Sequence, residues 1–177
     1  MIIIDFDKAI DCCFCKTGNS TQIADWFIRR AFDERDNGTI LTQLKLQKLL
    51  YYAYVWWLVL SGNKLFDDNI EAWEYGPVVR MQYARLKKYN EKAIKLQEII
   101  TDINEIPQDK QQHLEKIWQM YGKYDVFYLV NKTHNEQPWR IAFNQKNSDG
   151  TESRKKFITD DMITDYYTKE MFTGAFD

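Results

Sequence analysis

The chain has 177 residues, a formal net charge of −2, 45% hydrophobic residues and 15% aromatic residues. A balance this close to neutral excludes a chain-wide field of the kind that binds nucleic acid or a membrane surface, and the apolar fraction is enough for one sizeable core in a single domain. Three prolines and seven glycines leave few forced breaks, which favours helices over a β-sandwich.

Residues 1–19 read as an N-terminal extension. MIIIDFDKAID carries acids early and no basic start, so it is not read as a secretory signal. Cys12, Cys13 and Cys15 cluster here. An odd, clustered set is a poor disulfide framework and points to a reducing cytoplasm. Cys-Cys-x-Cys, even joined by His113 or His134, does not supply the two spaced ligand pairs of a structural zinc site. No metal and no cofactor are expected.

Ser20 or Thr21 can cap a first helix in which Ile23, Trp26, Phe27 and Ala31 share an apolar face, ending at Asn37-Gly38. The stretch after it organises the chain. Thr42, Gln43, Lys45, Gln47 and Lys48 make a polar opening; from Leu49 to Leu60 no residue is charged, and Tyr51, Tyr52, Tyr54, Trp56 and Trp57 crowd together. A strand would alternate, and a membrane span needs about 20 apolar residues. The remaining reading is a helix buried on nearly every side, with Thr42 as N-cap and Gly62 just past its end.

Ile70 to Tyr75 can alternate as a short β segment, with Glu71, Trp73 and Tyr75 on one side. It can pair with Phe157 to Thr159 or with the N-terminal residues. Pro77 suits the first turn of a helix running to about Tyr89 on Val79, Tyr83 and Leu86. Lys92 to Ile100 is a short helix or an anchored loop. Helices follow from Pro107 to Gly122 and from Asp125 to Lys132, then a polar turn from Thr133 to Gln137, and a short helix opened by Pro138. Asn144 to Lys156 reads as an exposed loop. Asp160 can cap a last helix through Tyr167, with a loose tail over 168–177. The expected fold is mainly α: one helical domain, residues 20–167, of six or seven helices around the 42–61 helix, with a short β segment near 70–75.

Three blocks, LTQLKLQKLLYYA from Leu41, LFDDNIEAWEYGPVV from Leu65 and THNEQPWRIAF from Thr133, resemble in order and spacing the Panacea domain of SocA-like antitoxins and phage-associated GepA proteins. The resemblance covers roughly Thr21 to Tyr167. It implies an antitoxin of a bacterial or prophage toxin–antitoxin pair, without enzymatic activity, that binds a cognate toxin protein directly. One branch of the family also delivers its toxin to a cytoplasmic protease. Nucleic-acid binding and membrane insertion are not part of that expectation.

The aromatic excess is the most informative feature beside these motifs, because Tyr and Trp serve both cores and binding hot spots. The partner-binding residues expected are Trp73, Tyr75, Gly76 and Pro77 at one corner and His134, Pro138 and Trp139 at one turn, the two lying together and framing a groove. Two rival readings stand beside this one. A hydrolase would use His134 with a nearby acid, and Asp67, Asp68, Glu71 and Glu74 supply carboxylates. A nucleic-acid-binding regulator would use the basic run Arg80, Arg85, Lys87, Lys88, Lys92 and Lys95, which otherwise reads as a solvated helix face.

Overall fold

The helix expected at the centre is there, and its ends are set as the spacing predicts. In the computed structural model, which describes residues 19–146, 150, 151, 153 and 156–173, helix α2 runs Gln43–Ser61. Thr42 Oγ1 accepts from the Lys45 N–H, and Gly62 takes φ +70 while its own N–H returns to Leu58. Leu46, Leu49, Leu50, Tyr51, Tyr52, Ala53 and Val55 have no exposed surface. At about 1.5–3 kcal/mol for each large apolar side chain removed from water, this one helix dominates the hydrophobic term. Burial fades in the last turn, where Leu60 is 60% exposed.

The other elements sheathe it. Helix α1 spans Ser20–Asp33 and places Ile23, Phe27 and Ala31 inward. Its cap is Asn19, whose side chain accepts from the Thr21 N–H, because Ser20 is buried and holds Gln82 instead. Strands β1 (Ile70–Trp73) and β2 (Gly76–Val79) form an antiparallel hairpin, and β3 (Phe157–Ile158) pairs with β1, giving the order β2-β1-β3. The β segment therefore finds its partner at residues 157–158.

Pro77 does not start a helix. It sits in β2 opposite Ala72, and helix α3 begins three residues later, at Arg80–Leu86. Proline is tolerated because β2 is an edge strand, where a missing N–H breaks no ladder. Residues 87–106 contain only single 3₁₀ turns, among them Leu96–Glu98 and Ile103–Glu105. Helices α4 (Gln108–Tyr121), α5 (Val126–Asn135), α6 (Gln137–Phe143) and α7 (Asp160–Thr173) complete the shell, seven α-helices among the described residues. The expected polar turn at 133–137 shrinks to Glu136 alone, since Thr133 to Asn135 finish α5 and Gln137 opens α6. The tail expected at 168 is helical to Thr173. Cys12, Cys13 and Cys15 lie outside the described residues, as does the middle of the 144–156 loop.

Polar side chains fix how these pieces meet. Asp25, fully buried on α1, receives the Ile100 and Thr101 N–H groups, the Thr101 hydroxyl and Arg85 at 2.8 Å. It is the pin that holds the irregular 96–105 segment. His113 is buried on α4 with its Nε2 2.8 Å from the Ala53 carbonyl of α2. Burial lowers its pKa. Among the described residues, no helix is long and apolar enough to cross a membrane.

Candidate functional site

Of the five polar residues that open the central stretch, Gln43, Lys45, Gln47 and Lys48 are all buried. Lys45 donates to the Gly122 carbonyl at the end of α4, 2.6 Å away, a favourable place for a cation. Gln47 Oε1 accepts the Val79 N–H at 2.8 Å, and Lys48 Nζ donates to the Pro77 carbonyl at 3.1 Å. Two side chains of α2 thus complete the outer edge of β2, which no strand covers among the described residues.

The hairpin corner closes onto that amine. Gly76 has φ +97, a left-handed value that only glycine takes without strain. A Cβ here would stand 2.5 Å from Lys48 Nζ and 2.7 Å from Thr133 Oγ1. Glycine is therefore required twice, for its conformation and for its missing side chain. Burial pushes the Lys48 amine down from 10.5 to about 7.

From the other side, Trp139 of α6 donates its indole N–H to the Trp73 carbonyl at 2.9 Å. His134 stacks on Trp139 with ring centres 4.0 Å apart, and Phe143 also stacks on Trp139, at 4.6 Å. The Trp73 ring meets Tyr83 edge-on and donates to Glu71 at 2.8 Å. The corner and the turn expected to lie together are adjacent. Their meeting is a packed contact: Gly76, Pro77 and Pro138 are buried and Trp139 is 9% exposed. The aromatic left facing solvent is Tyr75, 56% exposed at the hairpin tip, with Ile141 of α6 also exposed.

Among the described residues, His134 is not paired with a carboxylate. His134 has its pKa lowered by burial and by Lys48, opposed by a hydrogen bond to the Glu74 backbone, and its Nε2 has no partner among the described residues. Glu136, the acid closest to it in sequence, turns away to Tyr52 and Tyr167. The acidic residues scatter likewise: Glu71 serves Trp73 and Arg80, while Asp67 and Asp68 line a hollow of about 400 Å³ with Asp160 and Asp161. No group of three or more metal-ligating side chains occurs among the described residues.

Of the basic run, Arg85 turns inward to Asp25, Arg80 and Lys88 pair with Glu71 and Glu98, and Lys87, Lys92 and Lys95 are exposed. What the sequence reading missed is the buried set Gln47, Lys48 and Glu136. The available signal was the position of Gln47 and Lys48 immediately before an uncharged run, on a helix read as buried on nearly every side.

The family model for the antitoxin SocA-like Panacea domain matches residues 46–140. That range contains Gln47, Lys48, the hairpin and the His134–Trp139 turn. Antitoxin SocA of Caulobacter vibrioides (strain NA1000 / CB15N) is 33% identical over 115 residues, 59% of this chain and 61% of that protein. The match thus spans less than two thirds of the relative's length. No solved structure matches this chain. With the matched range covering more than half of the chain, the protein belongs to the SocA-like antitoxin family defined by the Panacea domain.

Proposed function

We propose that this protein neutralises a cognate toxin protein by binding it directly, with no chemistry of its own. The observation that carries this reading is where the motif residues point. Gln47, Lys48, Thr133 and Trp139 all close on the hairpin from inside, so the motif builds a rigid corner and presents Tyr75 at its tip. A tyrosine held on a rigid element is a suitable anchor, because little side-chain freedom is lost on binding. Trp73, Gly76, Pro77, His134, Pro138 and Trp139 act in this reading as the support of the contact surface, and Tyr75 with Ile141 as its face. Family membership supports the same direction.

The test is co-expression with the product of the adjacent gene. That product should arrest growth alone, be tolerated with this protein, and copurify with it. Tyr75→Ser should leave thermal stability within about 0.5 kcal/mol of the parent and weaken binding by about 2 kcal/mol, roughly thirty-fold. An adjacent product that is harmless, or full rescue by a Tyr75→Ser, Ile141→Ser double variant, would overturn the proposal. Handing the toxin to a cytoplasmic protease is the finer step, read by toxin half-life with and without this protein.

A further inference from the structure

One buried carboxylate is used by neither the hairpin clasp nor the proposed contact surface. Glu136 lies between α5 and α6 and is 4% exposed. Its Oε1 accepts from the Tyr52 hydroxyl of α2 at 3.1 Å, and its Oε2 from the Tyr167 hydroxyl of α7 at 2.6 Å. Tyr167 is itself 2% exposed, lies 3.4 Å from the Tyr51 hydroxyl and meets Trp56 edge-on. The groups facing Glu136 are therefore Tyr51 and Tyr52 of α2, Tyr121 of α4, Lys132 of α5, and Tyr166 and Tyr167 of α7. Lys132 is the cation among them. It stands 3.7 Å away on a side chain 36% exposed, a weak countercharge for a carboxylate sealed from water.

We propose that Glu136 and Tyr167 form a proton-dependent latch holding the C-terminal helix α7 against α2 and α6. With Glu136 protonated, the site is neutral and α7 stays seated. Ionisation places a charge under Tyr167, and lifting α7 is the movement that brings water to it. Opening bares Tyr51 and the Trp56 face of α2. The direction follows from the balance at the site: burial pushes the Glu136 carboxyl up from 4.5 to about 7, against the two phenols and Lys132, which favour its charge. A folded-state value above the unfolded one means that closure is fully favoured below 4.5, weakens as pH rises from 4.5 to about 7, and changes no further above it. The difference between 4.5 and about 7 limits the change in the open population to about three-hundred-fold.

Hydrogen exchange of the α7 amides on the full chain, corrected for intrinsic rates from pH 5.5 to 8.5, tests this. Protection over 163–167 should fall about thirty-fold between pH 5.5 and about 7 and level off above that, while α1 stays constant, and Glu136→Gln should make α7 protection independent of pH. Constant wild-type protection, or an equal fall in Glu136→Gln, overturns the latch. Should Glu136→Gln not fold, Tyr167→Phe decides: losing one donor to the carboxylate should move the midpoint to higher pH, and an unmoved midpoint overturns it.

Discussion

Replacing Lys48 by methionine separates the two things its amine does. Lys48 is fully buried and donates to Pro77 at 3.1 Å, and burial lowers its pKa from 10.5 to about 7. Between those values the unfolded chain holds a proton that the folded chain has released. Stability therefore rises with pH from about 7 to 10.5 and is flat, as far as this group acts, below 7. One proton corresponds to about 1.4 kcal/mol per pH unit, hence about 4 kcal/mol between pH 7 and 10. Methionine has similar length and no charge, so Lys48→Met should erase that slope. It also leaves the Pro77 carbonyl without a donor, which costs about 1–3 kcal/mol. At pH 10, within half a unit of the unfolded value, little of that deprotonation cost remains, the lost hydrogen bond outweighs it, and the variant should be the less stable protein. At pH 7 relief from deprotonating the lysine outweighs the lost hydrogen bond, and the variant should match or exceed the parent. The two stability curves, measured by urea unfolding in half-unit steps of pH, should cross. Parallel curves from pH 7 to 10 would refute the claim that Lys48 folds as a neutral amine.

Two further substitutions probe the frame. Gly76→Ala forces a side chain into φ +97 and to within 2.7 Å of Lys48 and Thr133. It should destabilise by at least about 2 kcal/mol, a drop in Tm of roughly 4–8 °C by scanning calorimetry; an unchanged Tm would remove the clasp from the account. Asp25→Asn keeps the shape of the pin but leaves Arg85 without its ion pair. A loss of about 3–5 kcal/mol is expected, with early loss of amide protection at Ile100 and Thr101, and a loss spread evenly over the chain would contradict the local role.

Much of the architecture could be read before any coordinates. Thr42 and Gly62 delimit α2 because a cap needs a hydroxyl and a left-handed turn needs glycine, and both requirements are local. Pro107, Asp125 and Pro138 sit at or beside helix starts for similar reasons. Pro77 misled because proline fits a helix start and an edge strand equally well, and only the pairing of Ala72 with Pro77 decides between them. Ser20 and Thr21 misled because either can cap, and the choice of Asn19 depends on Gln82, 62 residues away from Ser20, taking both hydroxyls.

The candidate site divides along the same line. The aromatic corner and the Trp139 turn were visible as motifs, and their adjacency follows from one indole N–H reaching one carbonyl. That Trp139 is enclosed while Tyr75 is exposed was not visible, since both are aromatic residues in polar surroundings. Lys45, Gln47, Lys48 and Glu136 look in sequence like any hydrated side chain.

By itself the order of residues determined a helical protein wound about one uncharged, aromatic rod, because hydrophobic period, caps and turn formers act over a few neighbours. Which polar side chains went inside was decided only when distant segments met. A buried amine or carboxylate is held there by partners such as Pro77 for Lys48 and Tyr167 for Glu136, which lie 29 and 31 residues away along the chain, and the electrostatic cost of burial exists only once those partners have displaced water.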